Sequence, residues 1–167
     1  IIASIGGRVT VLIPEGEYQE RIELLPNPGI DFIGIGSVTL SSGLAWPNST
    51  IYLSGQTKCI NMNFYASQTY AFHADAQNEP TAGPISFIHC TFVSTNAPAV
   101  GLGLGLNWNI TFSDCTFANQ GTGVAFYAHN YPYAGASNQT LIVQNSRFYS
   151  NDDLAIGLDD SATLAGV

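Results

Sequence analysis

Positive charge is scarce in this chain: four Lys and Arg stand against twelve Asp and Glu, for a net charge of −8. No basic surface is on hand to neutralise phosphates, which argues against nucleic acid and anionic membranes as partners. Long hydrophobic runs are absent too. The longest, Val100 to Leu106, is broken by Gly101, Gly103 and Gly105, so no membrane insertion is expected. Three cysteines, an odd number at wide spacings, match neither a disulfide framework nor a zinc site. Apolar residues nowhere recur at three and four over helical length, which excludes a helical fold. The chain opens on Ile1 with no charged segment followed by an apolar one, so no signal peptide is legible, and both ends read as cut or processed.

What is present is a folded composition: 46% hydrophobic and only 10% charged residues over 167 positions, expected to form a single domain spanning 1–167 within a longer chain or assembly. Its organising feature is a repeat. Phe64, Phe92, Phe117 and Phe148 lie 28, 25 and 31 residues apart, a spacing typical of solenoids whose units bury their apolar faces only by stacking. Two residues before each Phe come Met62, Cys90, Cys115 and Ser146, and one earlier come Asn61, His89, Asp114 and Asn145. A gapless alignment then places Ala71 and Phe72 against Ala99 and Val100, Val124 and Ala125, and Ala155 and Ile156.

Within each unit the apolar residues alternate, as Ile85 and Phe87, Cys90 and Phe92, and Val100 and Leu102 do, with the period of a strand. Asn, His and Asp at the position between the first two strands are the non-glycine types enriched at positive φ, so a sharp corner is expected there. Three short strands per turn with such corners predict an all-β parallel β-helix, its coils ~4.8 Å apart. Cys90 and Cys115 share a column and should stack inward as small hydrophobes. A bridge between such parallel-pointing side chains would be strained, and their redox state stays open. The sequons at Asn48, Asn109 and Asn138 permit secretion without showing it.

Ahead of the repeats, Val9, Val11 and Ile13 alternate, Pro14-Glu15-Gly16 predicts a turn, and Ile22 and Leu24 resume. Short strands are predicted over 30–35, 38–40 and 48–53. Residues 9–53 thus form opening coils and 57–160 the Phe-anchored ones. The run IPEGEYQERIEL followed by IDFIGIG resembles the opening coils of the pectin-lyase-like superfamily, and pectinesterase-type sequences most. That resemblance implies a right-handed, single-stranded parallel β-helix, and it marks fold better than activity.

The resemblance also implies where catalysis would sit. Ser150-Asn151-Asp152-Asp153-Leu154-Ala155-Ile156 is similar to a polygalacturonase segment, so Asp152 and Asp153 are the candidate carboxylates. Such enzymes are expected to carry a further acid one coil earlier, where the gapless alignment puts Thr122; the pectinesterase pattern fails at the same place. Asp153 and Asp159 flank one strand, ~20 Å apart at ~3.3 Å per residue, against roughly 5 to 9.5 Å for a glycosidase pair. Asp152 with Asp153, or Asp159 with Asp160, would bind calcium only if neighbouring oxygens converged, and Asp more often serves turns. No other cofactor or metal is indicated. His73 with Asp75 has the spacing of a base and its orienter, yet no nucleophile stands beside them.

Binding is better served than catalysis. The connections after the third strands, residues 75–84, 103–108 and 128–140, differ in length and must emerge on one side. They bring Asp75, Glu79, Trp108, His129, Tyr131 and Tyr133 to loops on a rigid scaffold. The expectation is a non-catalytic extracellular module for recognising polysaccharide or glycan surfaces, at a cell surface or on a virion, like a phage tail component or an adhesin. The alternatives are a pectinesterase-like or polygalacturonase-like enzyme and a structural subunit whose coils stack end to end. A homo-oligomer, trimer or filament, is expected because terminal coils leave unpaired edges.

Overall fold

A computed structural model of the chain describes residues 7–24, 29–45, 48–74, 83–104, 108–130, 140–151 and 154–158. It is a parallel β-solenoid, and no residue among these is helical. Its strands fall into three columns. The first holds β5 (Thr57–Ile60), β8 (Gly83–Ile88), β11 (Trp108–Ser113) and β14 (Thr140–Gln144). The second holds β6 (Asn63–Ala66), β9 (Thr91–Ser94), β12 (Thr116–Asn119) and β15 (Arg147–Ser150). Two long opening strands, β1 (Val9–Tyr18) and β3 (Ile30–Ser42), run through both. The third column is a separate six-stranded sheet: β2 (Ile22–Glu23), β4 (Ile51–Tyr52), β7 (Phe72–Ala74), β10 (Val100–Leu104), β13 (Phe126–Asn130) and β16 (Ile156–Leu158).

The corners between the first two columns are where the residue types predict them. Asn61, His89, Asp114 and Asn145 have φ of 55°, 52°, 55° and 51°, and they are the positive-φ non-glycines among the described residues. Their short polar side chains tolerate a conformation that costs most residues roughly 1–2 kcal/mol. The first three corners are also tied to the next coil: Asn61 N donates to Ile88 O, His89 N to Ser113 O and Asp114 N to Gln144 O.

Alternation sends one row of each column into the core, and repetition stacks like on like. In the second column Phe64, Phe92, Phe117 and Phe148 form a ladder with centroids 5.2, 5.5 and 4.9 Å apart and rings within 24° of parallel. Phe87 and Phe112 of the first column stack likewise at 5.1 Å. The two ladders meet edge to face, at 85° for Phe87 on Phe92 and 81° for Phe112 on Phe117. Aromatic quadrupoles favour that arrangement beyond the area it buries.

The opening coils depart from expectation. Pro14-Glu15-Gly16 does not break the strand: β1 continues to Tyr18 with a register shift at that point, so the turn is a bulge. The strands predicted over 30–35 and 38–40 are one, β3, and the strand predicted over 48–53 shortens to β4. A second difference changes which side chains face inward. Val100 pairs with Phe126 rather than Ala125, and Phe126 pairs with Ile156. Nine residues separate Phe117 from Phe126, whereas eight separate Phe92 from Val100 and Phe148 from Ile156.

The extra residue is held by Asn119. At the equivalent place in the preceding coil, the Ser94 hydroxyl donates to Thr69 O at 3.3 Å and to Ala97 O. The longer Asn119 amide spans the larger turn, donating to Ala97 O at 2.9 Å and Val124 O at 3.3 Å while accepting from Gly121 N at 2.8 Å. A one-residue slip in a strand exchanges its two faces, so Phe126 is in the core and Tyr127 faces out.

Cys59, Cys90 and Cys115 are free and buried. The Cys90 thiol donates to Cys59 O and Ile88 O, and Cys115 to Phe87 O and Ser113 O, at 3.4 to 3.5 Å. Burial pushes Cys90 up to about 12 and Cys115 up to about 11, and holds Cys59 well above a normal thiol. The sign follows. Below about pH 8.5 all are protonated in both states, and above it the unfolded chain ionises first, so stability falls as pH rises toward the folded values. Urea midpoints should drop between pH 8 and 10.5, and the slope should be shallower in Cys90→Ala. Iodoacetamide at pH 8 should modify the thiols in urea but not in the native chain; rapid native alkylation would contradict this placement.

Candidate functional site

The three variable loops leave the solenoid at a common corner. β7, β10 and β13 are hydrogen-bonded neighbours in register, Ala74 beside Leu102 and Leu102 beside Ala128. The strands to which the loops return are neighbours as well, with Trp108 beside Gly83 and Asn109 beside Thr140. Loop exits and re-entries are thus stacked coil on coil, as the repeat implied. Trp108 is the first residue of β11, and His129 belongs to β13 rather than to the loop after it, opposite Gly103. The side chains of Trp108 and His129 lie outside what the structure describes, as do Asp75, Glu79, Tyr131, Tyr133, Asp152, Asp153, Asp159 and Asp160.

His73 is described, and it is buried, with 1% of its surface exposed. Phe72 and Ala74 face the core, so alternation turns the His73 ring to the outer face of the third sheet. It lies flat on Tyr70, centroids 4.4 Å apart and planes 7° from parallel. The pair leans over the next coil at Gly101. A Cβ there would sit 2.7 Å from Tyr70 Cε1 and 3.1 Å from His73 Cδ2, so the missing side chain is what lets the rings close down.

The motif recurs two coils on. Tyr127 faces out in register with Gly101, and its ring covers Gly157, where a Cβ would come within 2.9 Å of Tyr127 Cδ2. His73, Gly101, Tyr127 and Gly157 therefore form one column on the outer face, alternating ring and glycine, along strands that end at the loop exits. At its lower end Tyr52, two strands from Gly101, has the Arg21 guanidinium 5.8 Å from its ring centroid.

Tyr70, Gly101, Tyr127 and Gly157 were not singled out from the sequence. The signal that could have found Tyr127 is alternation, but the gapless alignment gives it inward parity. Allowing one residue after Asn119 reverses that.

Chemically the column offers the partly exposed rings of Tyr70 and Tyr127, flat apolar faces with polar edges, over a buried His73. The turn at 119–125 carries no carboxylate, whether Thr122 or Gly123 is set against the position of the missing acid. Among the described residues no three His, Cys, Asp or Glu side chains cluster in a way that would hold a metal ion. Nor is any helix among them long and apolar enough to cross a membrane. Comparison with protein-family models, curated proteins and solved structures returns no match. Fold is therefore the level at which the chain is assigned: it is a parallel β-solenoid.

Proposed function

We propose that this chain is a non-catalytic, pectin-lyase-like recognition module that binds polysaccharide at a cell or virion surface. The observation that carries the reading is the pair of outward, partly exposed rings Tyr70, laid on the buried His73, and Tyr127, beside the stacked exits of three loops. Planar rings bury the apolar face of a sugar while their polar edges keep a hydrogen-bonding partner, and a stiff Phe-stacked scaffold fixes their spacing at little entropic cost. Scarce positive charge suits a neutral glycan better than a polyanion. The absence of a carboxylate in residues 119–125 favours binding over hydrolysis.

The test is binding of the purified chain to a glycan array and to insoluble cell-wall polysaccharide. Loss of one stacking ring, at about 0.5–1.5 kcal/mol, weakens binding up to roughly tenfold, so Tyr127→Ala should show that loss, and Tyr131→Ala with Tyr133→Ala a comparable one. Tyr149→Ala, on the outer face of the second column and 53% exposed, should bind as wild type. Equal binding by all variants would sink the proposed face, and release of reducing ends or methanol from pectin would return the enzyme reading.

A further inference from the structure

Glycine stands where the outer face of the third sheet would carry side chains. One coil runs through β8, β9 and β10, and its outward positions in the first two columns hold Ser86, Ile88, Thr91 and Val93. In the third column they hold Gly101 and Gly103. The last described coil repeats the change: Ile142, Gln144, Arg147 and Tyr149 face out from β14 and β15, and Gly157 from β16. A glycine weakens a strand interior, because it has the most freedom to lose and nothing to pack. Neither Gly101 nor Gly157 has positive φ, so the backbone does not require it. Each lies instead under a ring of the preceding coil, and Gly101 is buried although its row faces outward.

We propose that Gly101 and Gly157 are positioning residues for the rings of this face, and that Tyr70 is a sugar-contacting ring set by Gly101 and His73, an assignment that rests on the glycan-binding reading. Ring atoms occupy the places where side chains of the next coil would begin. Tyr70 Cε1 and Cδ1 lie 2.7 and 2.9 Å from the Cβ position of Gly101, and Tyr127 Cδ2 lies 2.9 Å from that of Gly157. Both rings are thus lowered along the solenoid axis onto the coil beyond their own. His73, parallel to Tyr70 and 4.4 Å away, supports one face of that ring and is itself sealed, which leaves the partly exposed side of Tyr70 for a ligand. A ring confined in this way loses little freedom when a sugar docks on it. Alanine at 101 would displace the ring rather than the strand, because β10 is hydrogen-bonded to β7 on one side and β13 on the other.

The test compares Gly101→Ala, Tyr70→Ala and the double variant for retention on insoluble cellulose, chitin and pectin-rich cell wall. Alongside it, modification of His73 by diethyl pyrocarbonate is located by mass spectrometry. Gly101→Ala is expected to weaken binding up to roughly tenfold, as loss of the Tyr70 ring would, and to open His73 to a reagent from which the wild type protects it. Adding Gly101→Ala to Tyr70→Ala should cost no further binding, since the ring it displaces is already gone. Wild-type binding by Gly101→Ala, a His73 that stays protected in it, a reactive His73 in the wild type, or a further loss in the double variant each overturns the positioning role and leaves the glycan reading standing. Failure of the wild type to bind any of the three materials removes that reading and this assignment with it. Should Gly101→Ala fail to fold, the same binding comparison with Gly157→Ala and Tyr127→Ala decides.

Discussion

Replacing Phe92 with alanine is expected to lower the stability of the folded chain by roughly 3–5 kcal/mol, a large part of the 5–15 kcal/mol typical of a domain. Phe92 is fully buried and contacts Phe64 and Phe117 in its own ladder and Phe87 and Phe112 in the next. Truncation opens a void between rings fixed by backbone ladders on either side, so the neighbours cannot collapse into it. Phe148→Ala supplies the comparison. It removes a ring of the same ladder, but one that is only partly buried and contacts Phe117 and Phe126. Urea unfolding should show a clearly smaller loss at Phe148. Equal losses would mean that the ladder does not carry the stability of the core.

Gly121→Ala is expected to be as damaging, for a different reason. A Cβ at Gly121 would lie 1.8 Å from the Thr95 carbonyl oxygen and 2.9 Å from its carbon, both backbone atoms of the preceding coil. Neither side can yield easily: Gln120 N donates to Ser94 O at 2.8 Å, Thr95 N to Ala66 O at 3.2 Å, and Gly121 N to Asn119 Oδ1 at 2.8 Å. The cost should exceed the roughly 1–3 kcal/mol of an added methylene in a packed core, because relief requires parting two coils. Gly43→Ala, with no atom within 4 Å of the added carbon, is the control and should be near neutral. A folded, stable Gly121→Ala chain would show that the coils approach less closely there than described.

The same close approach bears on function. The turn that Gly121 allows is the one with the extra residue, and that residue sets Tyr127 on the outer face beside Gly101. Damage at Gly121 should therefore reach the outward face of Tyr127, where glycan binding is proposed, as well as the fold, whereas Phe148→Ala should leave that face intact.

What the sequence by itself determined is everything that depends on neighbours along the chain. Alternation at Ile85 and Phe87 or Cys90 and Phe92 needs only the strand period, and the column from Phe64 to Phe148 follows from the repeat. The corners at Asn61, His89, Asp114 and Asn145 reflect a steric preference of single residues, legible with no knowledge of packing. The stacking of the loop exits follows from coils in register. Tertiary structure decided the rest. Alternation carries no count of turn residues, so only the pairing of Val100 with Phe126 reveals the added residue held by Asn119 and turns Tyr127 outward. Whether Pro14 to Gly16 is a break or a bulge depends on β3 running alongside it. In sequence His73 has the spacing of a base with Asp75 as its orienter, and only the structure shows that Tyr70 and the bare backbone of Gly101 on the next coil bury it. Such contacts join residues far apart in the chain, 26 positions for Val100 with Phe126 and 28 for His73 with Gly101, at distances set by the stacking of coils and not by the order of residues along one of them.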